Sequence, residues 1–153
     1  YANNEIARQN LKLEAKKRGI DHKRIIFAEK VSINDHLKRM KLADIFLDTF
    51  PYNAHTSASD SIRMGLPVIT LQGKSFASRV ASSILTSINM PELITTKIDD
   101  YENLAIKLGN DESYLNEIKN KIKTNINKNP LFNSIKFTKD LENIFKKLLN
   151  KNL

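Results

Sequence analysis

The sequence predicts an α/β fold in which a parallel sheet is flanked by helices on both faces. Short apolar segments alternate with helical segments, and the loops between them are short. Two of the apolar segments, residues 44–48 and 67–71, are separated by a single short helical segment. This alternation is typical of parallel sheets, because two parallel strands need a crossover connection and that connection is usually a helix.

The first half of the chain contains three predicted helices and three predicted strands. The helices cover residues 3–18, 32–41 and 57–64, and the strands cover residues 24–27, 44–48 and 67–71. Gly19 is expected to end the first helix, because glycine readily takes the left-handed conformation that follows many helices. Ser32 is expected to begin the second helix as its N-cap, with Asp35 three residues later as a relative of the capping box.

The second half of the chain is mainly helical. A helix capped by Ser75 is predicted to run to about Ile88, and residues 93–95 form a possible last strand. Three further helices are predicted at residues 99–108, 111–127 and 138–150, with Gly109 ending the first and Asn129-Pro130 breaking the second. Five apolar residues of the last helix are expected to face inward: Leu141, Ile144, Phe145, Leu148 and Leu149.

The composition is that of an ordinary globular chain, and 153 residues predict one domain, 1–153. The chain has no cysteine, which excludes disulfides and thiolate metal sites, and no apolar run approaches the length of a membrane span. We expect a cytoplasmic protein without a membrane partner. The net charge of +8 is concentrated in the outer helices, so solvated helix faces are favoured over a nucleic-acid surface.

Residues 53–60 have the features of an anion-binding helix start. The first turn of a helix carries unpaired N–H groups and the positive end of the helix dipole, so it attracts phosphate. Thr56 and Ser57 add hydroxyl donors, His55 precedes them, and Asp60 lies one turn further on, where its carboxylate could accept from sugar hydroxyls. The alternative is an ordinary helix that is capped by Thr56 or Ser57.

Two other segments contain residues that could contact a ligand. His36 and Arg39 are three residues apart and share a helix face, which suits either ligand contacts or a solvated surface. Residues 72–75 resemble the end of a P-loop, but Val68 stands where that motif needs glycine, so a tight turn and helix cap are predicted instead. The histidines and carboxylates show no metal-ligand spacing, and no metal or cofactor is expected.

Several segments together resemble the O-linked N-acetylglucosamine transferase family, in particular its bacterial members with tetratricopeptide repeats. The resemblance covers nearly the whole chain in one register. It is carried by residues 24–27, 35–39, 42–49, 53–57, 65–70, 73–80, 101–109 and 130–133. The resemblance implies a Rossmann-like fold and, more specifically, part of the C-terminal catalytic lobe of a GT-B glycosyltransferase, the lobe that binds the nucleotide sugar.

The resemblance also implies a role for each of eight residues toward UDP-N-acetylglucosamine. His55, Thr56 and Ser57 would hold the diphosphate and Asp60 the ribose. Arg39 and the backbone of Val31 would contact the uracil, His36 the nucleoside, and Tyr52 the donor sugar. Two positions depart from animal relatives: Ile33 replaces a lysine near the ribose, and Tyr52 replaces a cysteine and could change which sugar is accepted.

The implied function is donor binding in an inverting protein O-glycosyltransferase that modifies Ser or Thr. We expect a piece of a longer chain, because it starts at Tyr1 and on a helix. The N-terminal lobe, the acceptor-binding repeats and a diphosphate-binding lysine would lie upstream, so no catalytic residue is assigned within these residues and no activity is expected from them alone. The alternatives are a GT-B donor lobe acting on glycan or lipid, and a non-catalytic nucleotide-binding or scaffolding domain.

Overall fold

The computed structural model describes residues 4–151. They form two compact units that divide between residues 36 and 37, called here the first and the second unit. The single domain expected from the sequence stays a prediction. No helix within residues 4–151 combines the length and the apolar composition that crossing a membrane requires.

The first unit opens with helix α1, Glu5–Lys17, whose N-cap Asn4 accepts a hydrogen bond from the amide of Ile6 at 2.8 Å. The predicted start at Asn3 lies outside the described residues. The predicted strand at 24–27 is wrong, because Arg24 closes a short 3₁₀ helix, His22–Arg24, and the following residues have no regular structure. A strand needs a neighbouring strand for its backbone groups, and none of the described strands pairs with this segment.

Helix α2, Ile33–Met40, begins in the first unit and ends in the second. The Ser32 hydroxyl accepts a hydrogen bond from the amide of Asp35 at 3.2 Å and donates one to the Asp35 carboxylate at 2.7 Å. The predicted N-cap is therefore confirmed.

The second unit contains a parallel sheet of three short strands in the order β1-β2-β3, with bounds Phe46–Leu47, Val68–Leu71 and Ile94–Thr95. The central strand β2 is covered on both faces, since Val68, Ile69 and Thr70 are all fully buried and consecutive side chains point to opposite faces. The predicted α/β fold is confirmed. The strands are shorter than the apolar segments that predicted them.

Five helices surround or follow this sheet. They are α3, Thr56–Arg63; α4, Val80–Ser87; α5, Ile98–Asn110; α6, Glu112–Lys128; and α7, Ser134–Lys151. Helices α3, α4 and α5 all contact β2. The core between them is built from aliphatic side chains: Ile62, Val68, Ile69, Leu85, Ile88, Met90, Leu93, Leu108, Ile118 and Ile122.

Helices α4 and α7 each depart from the prediction. Helix α4 begins at Val80 rather than at Ser75, because residues 75–79 form a turn in which the Ser75 hydroxyl accepts from the amide of Ser78 at 3.2 Å. Helix α7 does not bury its apolar residues, which are 38% to 66% exposed from Leu141 to Leu149. Its amphipathic pattern predicted the helix correctly but could not show whether a neighbouring element covers the apolar face.

Gly109 does not end its helix, because α5 continues through it to Asn110. A methyl group added at Gly109 would meet no atom within 4 Å. We therefore expect Gly109→Ala to raise the free energy of unfolding by about 0.5–1 kcal/mol, since alanine loses less backbone entropy in a helix than glycine does. Urea unfolding of both proteins measures this, and a lower midpoint in the variant would contradict it.

Candidate functional site

The candidate site lies where β1 and β2 end, at the carboxyl edge of the parallel sheet. After β1 the chain passes through residues 48–55, which we call the β1 turn, and enters α3 at Thr56. After β2 it passes through residues 72–79, the β2 turn, and enters α4. The amide of Asn53 donates to the carbonyl of Ala77 at 2.9 Å, so the two turns are joined to each other.

Asp48 anchors the β1 turn, although no role was assigned to it from the sequence. Its carboxyl group is buried and accepts two hydrogen bonds, from the amide of Ala54 at 2.6 Å and from the hydroxyl of Thr70 at 2.7 Å. The Tyr101 hydroxyl donates to the Asp48 carbonyl at 2.9 Å. Burial and the neighbouring Asp48 raise the pKa of Tyr101, whose hydroxyl is protonated at neutral pH in any case and acts as a donor.

Burial raises the pKa of Asp48 above its ordinary value, while its bonds to Ala54 and Thr70 and the charge of His55 act in the opposite direction. The folded protein thus binds this proton more tightly than the unfolded chain does. The resulting stabilisation is full below the unfolded pKa and is lost as the pH rises through the folded pKa.

This shift predicts a pH dependence that an asparagine at position 48 would lack. As the pH falls from about 7 toward 4, the wild-type protein should gain stability relative to the Asp48→Asn variant, because only the aspartate takes up a proton. The difference between their urea unfolding midpoints, measured over this range, checks the direction. A difference that stays constant, or that moves in favour of the variant on acidification, would contradict it.

Helix α3 starts without a side-chain cap. Its N-cap residue is His55, and no side chain accepts a hydrogen bond from the amides of the first turn. The alternative in which Thr56 or Ser57 caps the helix is therefore wrong. Both residues are exposed and lie in the first turn of α3, where an α-helix leaves its N–H groups unpaired.

The imidazole of His55 is held between two aromatic rings. The Tyr52 ring stacks on it at a centroid distance of 5.1 Å and an angle of 14°, and the Phe76 ring meets it edge-on at 6.1 Å. Nε2 of His55 is buried and has no hydrogen-bond partner within the described residues; Oδ1 of Asn53 in the same turn shares this condition. Buried polar atoms without partners are uncommon in folded proteins, so His55 carries unused hydrogen-bonding capacity at the start of α3.

The eight predicted site residues divide between the two units. The second unit brings together the segment at the helix start: Tyr52, His55, Thr56, Ser57 and Asp60. Arg39 also lies in the second unit, next to Met40, whose Sδ is 3.9 Å from the Ser61 hydroxyl on α3. Val31 and His36 belong to the first unit.

The β2 turn spans residues 72–79, so the tight turn and helix cap predicted at residues 72–75 are replaced by a longer turn before α4, and it supplies residues that the sequence did not single out. The amide of Gly73 donates to the carbonyl of Ser78 at 3.0 Å. A cavity of about 790 Å³ is lined by Gln72, Phe76 and Arg79 of this turn and by one side of α4. Because Phe76 also contacts the His55 ring, the cavity adjoins the helix start. Within residues 4–151, no group of three potential ligand side chains could hold a metal ion.

Comparison with known proteins shows the family to which the chain belongs. A model of glycosyl transferase family 41 matches residues 4–141, which is most of the chain. The chain belongs to glycosyl transferase family 41. The resemblance noted in the sequence is thereby confirmed.

Similar proteins with curated names come from animals and plants. The chain is 34% identical over 127 residues to a UDP-N-acetylglucosamine–peptide N-acetylglucosaminyltransferase of Caenorhabditis elegans, with 83% of this chain and 11% of the relative covered. It is 33% identical over 139 residues to the probable UDP-N-acetylglucosamine–peptide N-acetylglucosaminyltransferase SPINDLY of Eustoma exaltatum subsp. russellianum, with 90% of this chain and 15% of the relative covered. The chain therefore spans a small part of the length of these family 41 relatives.

A solved structure shows the same fold. The structure of a mutant of the Thermobaculum terrenum O-GlcNAc transferase superposes with a TM-score of 0.86 at 26% identity. The superposition covers 94% of this chain and 28% of that one. The predicted Rossmann-like, GT-B architecture is thus confirmed for this family 41 chain.

Proposed function

We propose that this chain is the UDP-sugar-binding lobe of a protein O-glycosyltransferase that transfers N-acetylglucosamine to Ser or Thr with inversion. The observation that carries the proposal is the start of α3, which has no side-chain cap and is formed by His55, Thr56 and Ser57. The names of the similar proteins support the choice of donor and of a polypeptide acceptor.

The helix start is suited to the leaving group of the reaction. When an acceptor hydroxyl attacks the anomeric carbon, the bond from that carbon to the diphosphate oxygen breaks, and negative charge develops on UDP. The dipole of α3, the hydroxyls of Thr56 and Ser57 and the imidazole of His55 would stabilise that charge. Since these groups are held in place before the reaction, they need little reorganisation as the charge develops.

The remaining predicted residues are proposed to orient the nucleoside and the sugar. Asp60 lies one turn along α3 from Thr56. With the diphosphate at the helix start, its carboxylate could accept hydrogen bonds from the ribose hydroxyls. Arg39 and His36 on α2, and Val31 just before it, would contact the uridine. Tyr52 is 65% exposed beside His55, so its ring is available to contact the donor sugar.

A transfer assay with the full-length protein tests this function. Incubation with UDP-N-acetylglucosamine and a mixture of unmodified proteins should yield Ser or Thr residues carrying the mass of one N-acetylhexosamine. Parallel reactions with UDP-glucose and GDP-fucose test the choice of sugar. Transfer to lipid or glycan alone would overturn the protein acceptor, and no binding of UDP or any UDP-sugar would overturn the donor site itself.

A further inference from the structure

We propose that Asp48 is a positioning residue of the donor site, whose buried carboxyl group holds the start of α3 in the orientation that binds the diphosphate. This inference rests on the proposed function. Asp48 does not contact UDP in this proposal. It acts on the diphosphate site through Ala54 and His55.

The path from Asp48 to the proposed diphosphate site is short. Oδ1 of Asp48 accepts from the amide of Ala54 at 2.6 Å, and Ala54 immediately precedes His55, the N-cap of α3. The side chain thus closes a ring across the β1 turn and fixes the peptide that leads into the helix. A shift of this peptide would move the His55 ring and the first amides of α3 together.

The other polar groups of Asp48 are bonded to the sheet and to α5. Oδ2 accepts from the Thr70 hydroxyl, the Asp48 amide donates to the Ile69 carbonyl at 3.0 Å, and its carbonyl accepts from the Tyr101 hydroxyl. Both carboxyl oxygens and both backbone groups therefore have a partner. Because two of these partners, Ile69 and Thr70, are fully buried residues of β2, the carboxyl group transmits the rigidity of the core to the turn.

A buried carboxyl group is a costly way to fill this space. Asp48 is 2% exposed, and within the described residues no salt bridge compensates it. A carboxylate at this depth loses its hydration, and neutral donors, among them Ala54 and Thr70, offset part of that loss together with the charge of His55. An apolar side chain would avoid the cost but could not join Thr70 to Ala54. The carboxyl group therefore contributes by fixing the geometry of the β1 turn.

A pair of matched substitutions in the full-length protein separates positioning from stability. Thr70→Val removes the hydroxyl that holds the Asp48 carboxyl group, while Thr95→Val removes a similarly buried hydroxyl that donates to the Thr70 carbonyl at 3.0 Å. Both changes cost one buried hydrogen bond, so their effects on the unfolding midpoint should be similar. Only Thr70→Val should weaken UDP binding, by about fivefold, with Thr95→Val remaining within about twofold of wild type.

A second pair tests the carboxyl group directly. Asp48→Ala leaves the Ala54 amide without its acceptor and should weaken UDP binding by about tenfold or more, measured by calorimetry on protein shown to be folded. Asp48→Asn retains an oxygen that can accept from Ala54 and should recover most of the lost affinity. Should Asp48→Ala fail to fold, the comparison of Thr70→Val with Thr95→Val decides.

The outcomes distinguish this inference from the proposed function. If the wild-type protein does not bind UDP, the donor site is overturned, and the role of Asp48 with it. If wild type binds UDP but Thr70→Val and Asp48→Ala bind it equally well, Asp48 is only structural and the donor site stands. Equal loss of affinity in Thr70→Val and Thr95→Val would likewise overturn positioning by Asp48.

Discussion

Replacing His55 by alanine in the full-length protein should lower the rate of sugar transfer by about 100-fold or more without unfolding the chain. A donor that is held ready for a developing negative charge is worth about 100- to 1,000-fold in rate when it is removed from comparable sites. Nε2 of His55 has no partner within the described residues, so its loss breaks no hydrogen bond made by that atom in the free protein. The change in stability should come from the lost contacts with Tyr52 and Phe76 and from the lost interaction with the Asp48 carboxyl group.

The transfer rate at saturating donor concentration measures this effect, and the unfolding midpoint of the same preparation reports the fold. His22→Ala is a matched control, because His22 is an exposed histidine of the first unit to which no ligand role is assigned. A wild-type rate in His55→Ala would remove His55 from the mechanism. An equal loss of rate in both variants would show that the loss is not specific to the helix start.

Gly73→Ala should lower the free energy of unfolding by about 1–3 kcal/mol, the usual cost of forcing an extra methyl group into a packed site. A Cβ atom at Gly73 would lie 2.6 Å from Oγ and 2.9 Å from Cβ of Ser78. Ser78 cannot turn away easily, since it is 3% exposed and its hydroxyl bonds to Ser75. The same turn carries Phe76, so donor binding should weaken as well.

Urea unfolding of Gly73→Ala, compared with Gly109→Ala, tests this prediction with one substitution at two places. The two variants should differ in sign, because only Gly73 lacks room for a methyl group. When Ser78 is also replaced by glycine, Gly73→Ala should lower the free energy of unfolding by less, because the Ser78 side-chain atoms that clash with the new methyl group are absent. A Gly73→Ala protein as stable as wild type would contradict the close packing of the β2 turn.

The parts of the fold that follow from local sequence were predictable. The capping of α2 by Ser32, the break at Pro130 and the buried strand β2 each depend on residues close together in the chain. The strand predicted at 24–27 failed because apolar residues in a row also suit an irregular segment, and only a neighbouring strand decides between the two. The prediction that Gly109 ends its helix failed because glycine permits a helix end without requiring one.

The part of the candidate site whose residues are close together in the chain was also predictable from the sequence. Tyr52, His55, Thr56, Ser57 and Asp60 lie within nine residues of each other, and the structure places them at one turn and one helix start. The role of Asp48 could not be read from the sequence, because its partners Thr70 and Tyr101 are 22 and 53 residues away. Phe76 was missed for the same reason, since only the join between the two turns brings it to His55.

Hydrogen exchange of the full-length protein, with and without UDP, tests the donor site most directly. UDP bound at the start of α3 would accept hydrogen bonds from its first amides, so peptides covering residues 54–59 should exchange more slowly when UDP is present. Peptides from α7 serve as the internal reference and should not change. Saturating UDP that leaves the exchange of residues 54–59 unchanged would contradict a diphosphate site at this helix start.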